Sequence, residues 1–135
     1  VIDLKAANHT NRELDLMLAG KKPLAVFHDV IESLPNEIII PEEKFSPYVI
    51  NGSIIKEEAI FAKKYRTKEE VIKFVLYAVK GEEWRIPAYL MVKRTFNKTG
   101  RNPEELERIE SELLGYTQEE IDAWCQQLYG SRNAT

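Results

Sequence analysis

The chain has 135 residues and a mass of 15.6 kDa, with 44% hydrophobic and 30% charged side chains. This balance is typical of a globular protein of one domain and excludes an intrinsically disordered chain. No apolar run reaches the roughly 18 residues that a membrane span needs, and the first residues lack a signal-peptide pattern. The sequence leaves open whether a leader was removed before Val1. The single cysteine, Cys125, rules out an internal disulfide and fits a reducing cytoplasm, which is the expected location.

The net charge of -3 hides an uneven distribution. Residues 1–55 carry five basic and eight acidic side chains, residues 56–101 carry twelve and six, and residues 102–135 carry two and eight. The middle of the chain is therefore basic and its end is strongly acidic. A basic middle suggests nucleic acid as a ligand, whereas an acidic end suggests a basic protein partner.

The chain begins with a segment, residues 1–9, that shows no periodicity and is expected to be flexible. Thr10 and Glu13 then form a capping-box pattern before a short amphipathic helix that should end at Gly20. The apolar run Leu24–Val30 is rich in residues that favour β-structure, so it is predicted to be a strand.

The next region contains competing signals. Ile38–Ile40 is a β-branched triplet and predicts a very short strand. Residues 41–52 show helical spacing, but Pro47 lacks a backbone N–H, so we expect one or two irregular turns there. Ser53–Ala62 is predicted to be a strand that is irregular near the two adjacent glutamates in its centre.

The most apolar part of the chain runs from residue 67 to residue 96. Apolar residues of Val71–Val79 recur at helical spacing, after a capping-box pattern at Thr67 and Glu70 and before a helix-ending glycine at Gly81. We therefore predict a central helix over residues 71–79, covered on more than one side because it is apolar nearly all round. A buried strand is the alternative that the pattern leaves open.

The remainder of the chain predicts helices. Residues 86–96 favour helix over strand, and residues 97–101 form a polar loop. Asn102, Pro103 and Glu105 combine a cap, a first-turn proline and a capping-box acid before one helix, and Thr117 with Glu120 begins another. The expected fold is a small α+β domain over residues 1–135, mainly helical with a small sheet and a C-terminal helix hairpin. Residues 131–135 are expected to be flexible.

Reactive groups with a favourable context are few. Loops that cradle phosphate need clustered glycines, and the six glycines of this chain are dispersed, so a nucleotide-binding loop is not expected. Cys125 lies on the apolar face of the last predicted helix with no histidine near it in sequence, which favours a buried structural thiol over a nucleophile. No cofactor is expected.

His28 and Asp29 offer an imidazole and a carboxylate, the ligand types of a metal-dependent hydrolase. This dipeptide lies in a run that predicts a strand, and the chain has only two histidines. A histidine that packs or hydrogen-bonds at the end of a strand is the simpler interpretation. The metal-dependent hydrolase stays an alternative, with these two residues as its candidate ligands.

Cations and aromatic rings are interleaved over residues 56–101, as they are on surfaces that bind nucleic acid. Arg85 and Lys93 are the cations that this alternative would use. The same rings lie where a core would be built, and the acidic end of the chain can pair with the basic region internally. Nucleic-acid binding is therefore a second alternative.

Well-specified helices without a catalytic constellation favour a non-enzymatic protein-binding module. Such a module would steer a basic protein partner toward its acidic face. An inhibitor or immunity-type protein that neutralises a basic nuclease is one concrete version. The sequence does not identify the partner, and it also allows a homo-oligomer. The predicted binding surface comprises four acidic residues of the last two helices: Glu104, Glu107, Glu112 and Glu119.

Overall fold

The computed structural model describes residues 12–30, 41–64 and 69–133. Within these residues the chain forms five α-helices and three β-strands, and the predicted α+β class is confirmed. In chain order the elements are α1 (Glu13–Leu18), β1 (Leu24–Val30), α2 (Glu42–Ile50), β2 (Ile54–Lys64), β3 (Glu69–Val79), α3 (Arg85–Thr99), α4 (Glu104–Leu113) and α5 (Gln118–Asn133).

The chain divides into two compact units. One unit, called the sheet unit below, is residues 24–86 and contains the three strands and α2. The other, called the helical unit, combines residues 1–23 with residues 87–135 and contains α1, α4, α5 and most of α3. The prediction of a single domain over residues 1–135 stays a prediction.

The sheet is antiparallel, with the strand order β1-β3-β2. Strand β3 pairs on one side with β1, from Leu24 opposite Ala78 to Val30 opposite Ile72. On its other side it pairs with β2, and this register is continuous over eleven residues. Strand β3 is therefore the central strand, and β1 and β2 are the two edges.

The prediction of a central helix over Val71–Val79 is wrong, because these residues belong to β3. Five consecutive residues, Phe74–Ala78, are buried, which means that both faces of the strand are covered. A strand buried on both faces reads as a continuous apolar run, and such a run resembles a helix that is apolar all round. The capping-box interpretation fails with it, since Glu70 lies in β3 and Thr67 lies outside the described residues.

An aromatic cluster packs α2 onto one face of the sheet. The rings of Phe45 and Tyr77 stack with their centroids 4.1 Å apart, and Phe27 contacts both rings edge-on at 5.8 and 6.1 Å. Phe45 and Tyr77 are each 1% exposed. The Tyr77 hydroxyl has no hydrogen-bond partner among the described residues, and burial raises the pKa of this hydroxyl.

The expectation that Pro47 would prevent a helix is also wrong, because α2 continues through it to Ile50. A proline inside a helix removes one backbone hydrogen bond. Burial of the Phe45 ring against the sheet offsets that loss, and the helix ends three residues after the proline. At Gly52 the chain takes a positive φ of 83° and turns into β2.

Strand β2 is confirmed, but the expected irregularity at its two central glutamates is absent. Adjacent residues of a strand point to opposite faces, so Glu57 and Glu58 do not form a pair. Glu58 accepts from the ammonium groups of Lys56 and Lys73, each at 3.4 Å. The hydrogen bond from Lys73 is the main reason that the pKa of the Glu58 carboxyl is lowered.

Strand β1 and the predicted helix over residues 86–96 are confirmed. Two helices are longer than their local signals indicate, since α3 continues to Thr99 and α5 continues through Gly130 to Asn133. Thr117 and Glu120 form the predicted capping box, with reciprocal bonds of 2.8 and 3.2 Å. Predictions for residues 1–9, Thr10 and Ile38–Ile40 lie outside the described residues.

The predicted side-chain cap of α4 is wrong. Pro103 occupies the N-cap position, and the side-chain amide of Asn102 donates to Glu107 at 3.0 Å instead of capping the helix.

Helices α4 and α5 form the predicted antiparallel hairpin. Arg108 bonds to Asp122 at 2.7 Å, the indole of Trp124 donates to Glu107 at 2.8 Å, and the Tyr129 hydroxyl donates to the Asn102 carbonyl at 2.9 Å. Going from the turn outward, each contact joins an earlier residue of α4 or its lead-in to a later residue of α5. This order is the signature of two antiparallel helices.

Helix α3 is joined to α4 through a shared carboxylate. One oxygen of Glu110 accepts from the Tyr89 hydroxyl at 3.1 Å and from the Lys93 ammonium at 2.8 Å. Tyr89 is 4% exposed, and burial together with Glu110 raises the pKa of its hydroxyl.

The turn between α4 and α5 requires a glycine for two reasons. Gly115 ends α4 with φ +93° and with the paired backbone hydrogen bonds of a Schellman motif, from Gly115 to Glu112 and from Tyr116 to Ser111. A Cβ placed on Gly115 would lie 2.4 Å from Cδ of Pro23. The segment before β1 is therefore packed directly against this turn.

We expect Gly115→Ala to lower the free energy of unfolding by about 2–4 kcal/mol, because it adds a steric clash to an unfavourable φ. Urea denaturation followed by circular dichroism measures the loss. Gly20→Ala is the matched control, since Gly20 ends α1 in the same Schellman motif with φ +73° and has no atom within 4 Å of an added Cβ. Equal losses in the two variants would contradict the close approach at Pro23.

Two tyrosines should respond in opposite directions to loss of the hydroxyl. Tyr77→Phe removes a buried group without a partner and should raise the free energy of unfolding by about 1 kcal/mol. Tyr89→Phe breaks the bond to Glu110 and should lower it by about 1–2 kcal/mol. The same urea titration measures both variants, and a loss of stability in Tyr77→Phe would mean that its hydroxyl is satisfied.

Candidate functional site

Two of the four predicted binding acids are engaged by contacts within the hairpin. Glu104 accepts a bond of 2.9 Å from Arg108, and Glu107 accepts from both Trp124 and Asn102. Both glutamates are half-buried. Their carboxylates are oriented by contacts within the hairpin, so they contribute to its rigidity.

The other two predicted acids, Glu112 and Glu119, are exposed. Glu112 shares one side of α4 with Glu105 and Ile109, since these three residues are spaced by four and three. All three are exposed, and Ile109 keeps 45% of its surface accessible. We call these three residues, Glu105, Ile109 and Glu112, the acidic ridge.

Sequence reasoning missed the ridge because it assigned two of its members to other roles. The spacing of Ile109 with Leu106 and Leu113 predicts that all three lie on the buried face of the helix, and Glu105 is predicted to complete a cap. In the structure the inward side of α4 carries Leu113, Ser111 and the bonded Glu110. The exposed side carries an isoleucine between two acids, and it can be identified in the sequence only once it is known which side of α4 is buried.

Arg108 bonds to two carboxylates, one on each helix of the hairpin. It bonds to Glu104 from its Nε and to Asp122 from its Nη1. The bond from Arg108 is the main cause of the lowered pKa of the Asp122 carboxyl, and a second bond from Gln118 adds to it. The positive charge of Arg108 is therefore largely neutralised within the hairpin, and it does not offset the charge of the ridge.

The two cations of the nucleic-acid alternative are both engaged by acids. Arg85 bonds to Glu82 at 2.8 Å and lies over the Trp84 ring at 4.7 Å. Lys93 bonds to Glu110 and lies over the rings of Tyr89 and Phe96. Phosphate would have to displace these carboxylates to bind either cation, so the described contacts give this alternative no support.

The two candidate metal ligands point in opposite directions. His28 and Asp29 are neighbours in β1, so their side chains lie on opposite faces of the sheet. The His28 ring packs near Phe74 with a centroid distance of 5.7 Å, and Asp29 is opposite Lys73 in the register. Within residues 12–30, 41–64 and 69–133, no three His, Cys, Asp or Glu side chains come together as a cluster that would hold a metal ion.

Two side chains that could be reactive, a thiol and an amine, are buried. Cys125 is 1% exposed, and burial raises the pKa of its thiol, which disfavours the nucleophilic thiolate. Lys22 is 3% exposed, and burial lowers the pKa of its ammonium to about 8, although Glu13 acts in the opposite direction. The Lys22 ammonium donates to the Leu114 carbonyl at 2.7 Å and lies 5.4 Å from the centre of the Tyr116 ring. Lys22 thus caps the C-terminus of α4, where a cation is favoured.

Comparison with known proteins finds no match to a family model, to a curated protein or to a solved structure. Among the helices of the described residues, none is long and apolar enough to cross a membrane. The function must therefore be argued from the chain's own surfaces.

Because the pKa of Lys22 is lowered in the folded chain, the free energy of unfolding depends on pH, and the direction of this dependence can be derived. In the unfolded chain this amine titrates near 10.5 and in the folded chain near 8, so between these pH values the unfolded state binds more protons. Stability should therefore rise with pH in this window. We expect Lys22 to contribute a rise of about 1 kcal/mol between pH 7 and pH 9.

Urea denaturation of wild type and Lys22→Met at pH 7, 8 and 9 measures this contribution as the difference between their free energies of unfolding. The methionine keeps the unbranched side chain as far as Cε but does not titrate, so the wild type should gain stability relative to the variant as the pH rises. A difference that is constant over this range would contradict a buried, charged Lys22.

Proposed function

We propose that the protein is a non-enzymatic protein-binding module that takes a basic protein partner on its acidic C-terminal hairpin. The observation that carries this proposal is the acidic ridge on α4, in which an exposed isoleucine lies between two exposed glutamates. The ridge belongs to a segment, residues 102–135, with eight acidic and two basic side chains.

The ridge combines the two contributions that a protein interface needs. Clustered acids raise the association rate with a basic partner and suppress acidic competitors. An apolar side chain at the centre contributes burial of surface when the partner is in place. Ile109 occupies the central position, and the acids at either side lie about one helical turn from it.

The hairpin is suited to present this surface because its inner contacts fix it. Arg108, Trp124 and Tyr129 each bond across the helix pair or to its lead-in. A preorganised surface binds with a smaller loss of conformational entropy than a flexible one. This rigidity supports the concrete version of the proposal, an inhibitor or immunity-type protein that covers the cationic substrate surface of a basic nuclease.

The test is capture of a partner from the source cell on immobilised protein, with two charge-reversed variants. Wild type should retain a basic protein in stoichiometric amount, and Glu105→Lys/Glu112→Lys should lose it. We expect the dissociation constant of the isolated pair to rise at least about tenfold, because the reversal replaces attraction by repulsion. Titration calorimetry with the captured protein measures this change.

Asp15→Lys/Glu43→Lys is the matched control, since it changes the net charge equally at exposed acids outside the hairpin. This variant should bind like the wild type, and circular dichroism verifies that both variants are folded. Equal weakening in the two variants would show that overall charge and not the ridge is responsible. Unchanged binding after reversal of the ridge would remove this surface as the site.

A further inference from the structure

The turn between α2 and β2 contains an asparagine followed by a glycine. Asn51 and Gly52 form this pair, and no other asparagine of the sequence precedes a glycine. A backbone amide can attack the side-chain amide of the preceding asparagine, and glycine hinders this attack least because it has no Cβ. Asn51 is exposed and Gly52 is half-buried, so water reaches the pair. The pair is therefore a candidate site of deamidation.

The reaction needs only water and hydroxide. Hydroxide removes the proton from the Gly52 nitrogen, which forms a bond to Cγ of Asn51. The bond from Cγ to Nδ2 then breaks, and the leaving nitrogen takes a proton back from water and departs as ammonia. The product is a five-membered succinimide. Water opens this ring to aspartate when it attacks Cγ and to isoaspartate when it attacks the main-chain carbonyl.

The folded backbone holds the attacking nitrogen away from its target. The ring closes only when the Gly52 nitrogen is eclipsed with Cβ of Asn51 about the Cα–C bond. Asn51 has φ -81° and ψ -3°. A ψ near zero eclipses the Gly52 nitrogen with the backbone nitrogen of Asn51 instead. Attack therefore requires the turn to rotate out of its folded conformation.

Hydrogen bonds fix both reacting groups in this closed arrangement. The Gly52 N–H donates to the Val49 carbonyl at 3.2 Å, which opposes loss of its proton. The side-chain oxygen of Asn51 accepts from the backbone N–H of Ser53 at 2.9 Å and from the Ser53 hydroxyl at 2.6 Å, as in an Asx turn. Ser53 is itself anchored to the end of β3, since its carbonyl accepts from the N–H of Lys80 at 3.0 Å.

We infer that Asn51 is a deamidation site gated by the turn between α2 and β2, so that it reacts only in chains in which this turn has opened. Folded proteins open locally with free energies that range from nearly zero to that of global unfolding. The rate at Asn51 then equals the rate in an open chain multiplied by the fraction of chains that are open. The hydroxyl of Ser53 lowers that fraction, because it holds the Asn51 side chain in the closed arrangement.

The reaction leaves a permanent change just before β2. Aspartate at position 51 keeps a side-chain oxygen that can accept from Ser53, but it adds a negative charge. Isoaspartate adds a carbon atom to the main chain shortly before Ile54, where β2 begins. The original turn cannot form again around this longer backbone. Chains that have opened here are thereby marked covalently.

The inference is independent of the proposed function. Asn51 belongs to the sheet unit, whereas the acidic ridge belongs to the helical unit. The measurement follows the mass of one peptide and requires no partner, so either proposal can fail without the other.

The first test compares the rate of deamidation at Asn51 in the folded and unfolded chain. The whole protein is incubated at one mildly alkaline pH, in buffer and in guanidinium chloride that unfolds it. Mass spectrometry of the peptide that contains Asn51 detects the exchange of an amide for a carboxyl group. We expect the rate in buffer to be at least about tenfold below the rate in denaturant. Equal rates, or no reaction at Asn51 in denaturant, would overturn the inference.

The second test asks whether the Ser53 hydroxyl keeps the turn closed. Ser53→Ala removes the bond of 2.6 Å to Asn51 and a longer contact of 3.3 Å to the Tyr48 carbonyl. It should raise the rate in buffer about fivefold, as expected for loss of one hydrogen bond, and leave the rate in denaturant unchanged. Ser53→Thr is the matched control, because it retains the hydroxyl, and it should react like the wild type in both solvents.

Circular dichroism verifies that both variants are folded in buffer. A slower rate in Ser53→Ala would show that the hydroxyl activates the side-chain amide, and equal rates in the two variants would show that it has no effect on opening. Either result would contradict the proposed gate.

Discussion

The side chains of Phe74, Val75, Leu76, Tyr77 and Ala78 follow one another in β3, and each is almost completely removed from solvent. Burying a large apolar side chain stabilises a fold by about 1.5–3 kcal/mol, so this segment is a major source of stability for the sheet unit. The same five residues form backbone ladders with both edge strands. The edges depend on them, since neither edge strand has another strand as a neighbour in the described residues.

This central burial also explains which parts of the fold the sequence could predict. The helix end at Gly20 and the helix start at Thr117 depend on residues within one turn, and the patterns found there were correct. Whether residues 71–79 form a strand or a helix depends on pairing with strands that are distant in sequence, and an apolar run alone does not predict that pairing. Pro47 shows the same limit, because burial of a single ring against the sheet outweighs a local signal that normally ends a helix.

The candidate site was predictable in its charge and not in its details. The acidic character of residues 102–135 is a property of composition. Which acids face outward depends on how the hairpin is oriented, and which ones are engaged depends on the partners they meet. Glu104 and Glu107 bond within the hairpin, Glu110 joins two helices, and Ile109 is exposed where a core residue was expected. Arg85 and Lys93 illustrate the same point for the basic region, since each had an acidic neighbour that spacing alone did not identify.

The helical unit is discontinuous in sequence, and this has a consequence for the order of events during synthesis. The bond between Lys22 and Leu114 joins residues 92 positions apart, and everything between Pro23 and Pro87 belongs to the sheet unit. On the ribosome the sheet unit is therefore complete while the lysine still lacks its carbonyl. At the usual rates of translation the 28 residues from 87 to 114 take roughly 1–6 s to appear. Lys22, which follows α1, can therefore reach its partner at the end of α4 only after that interval.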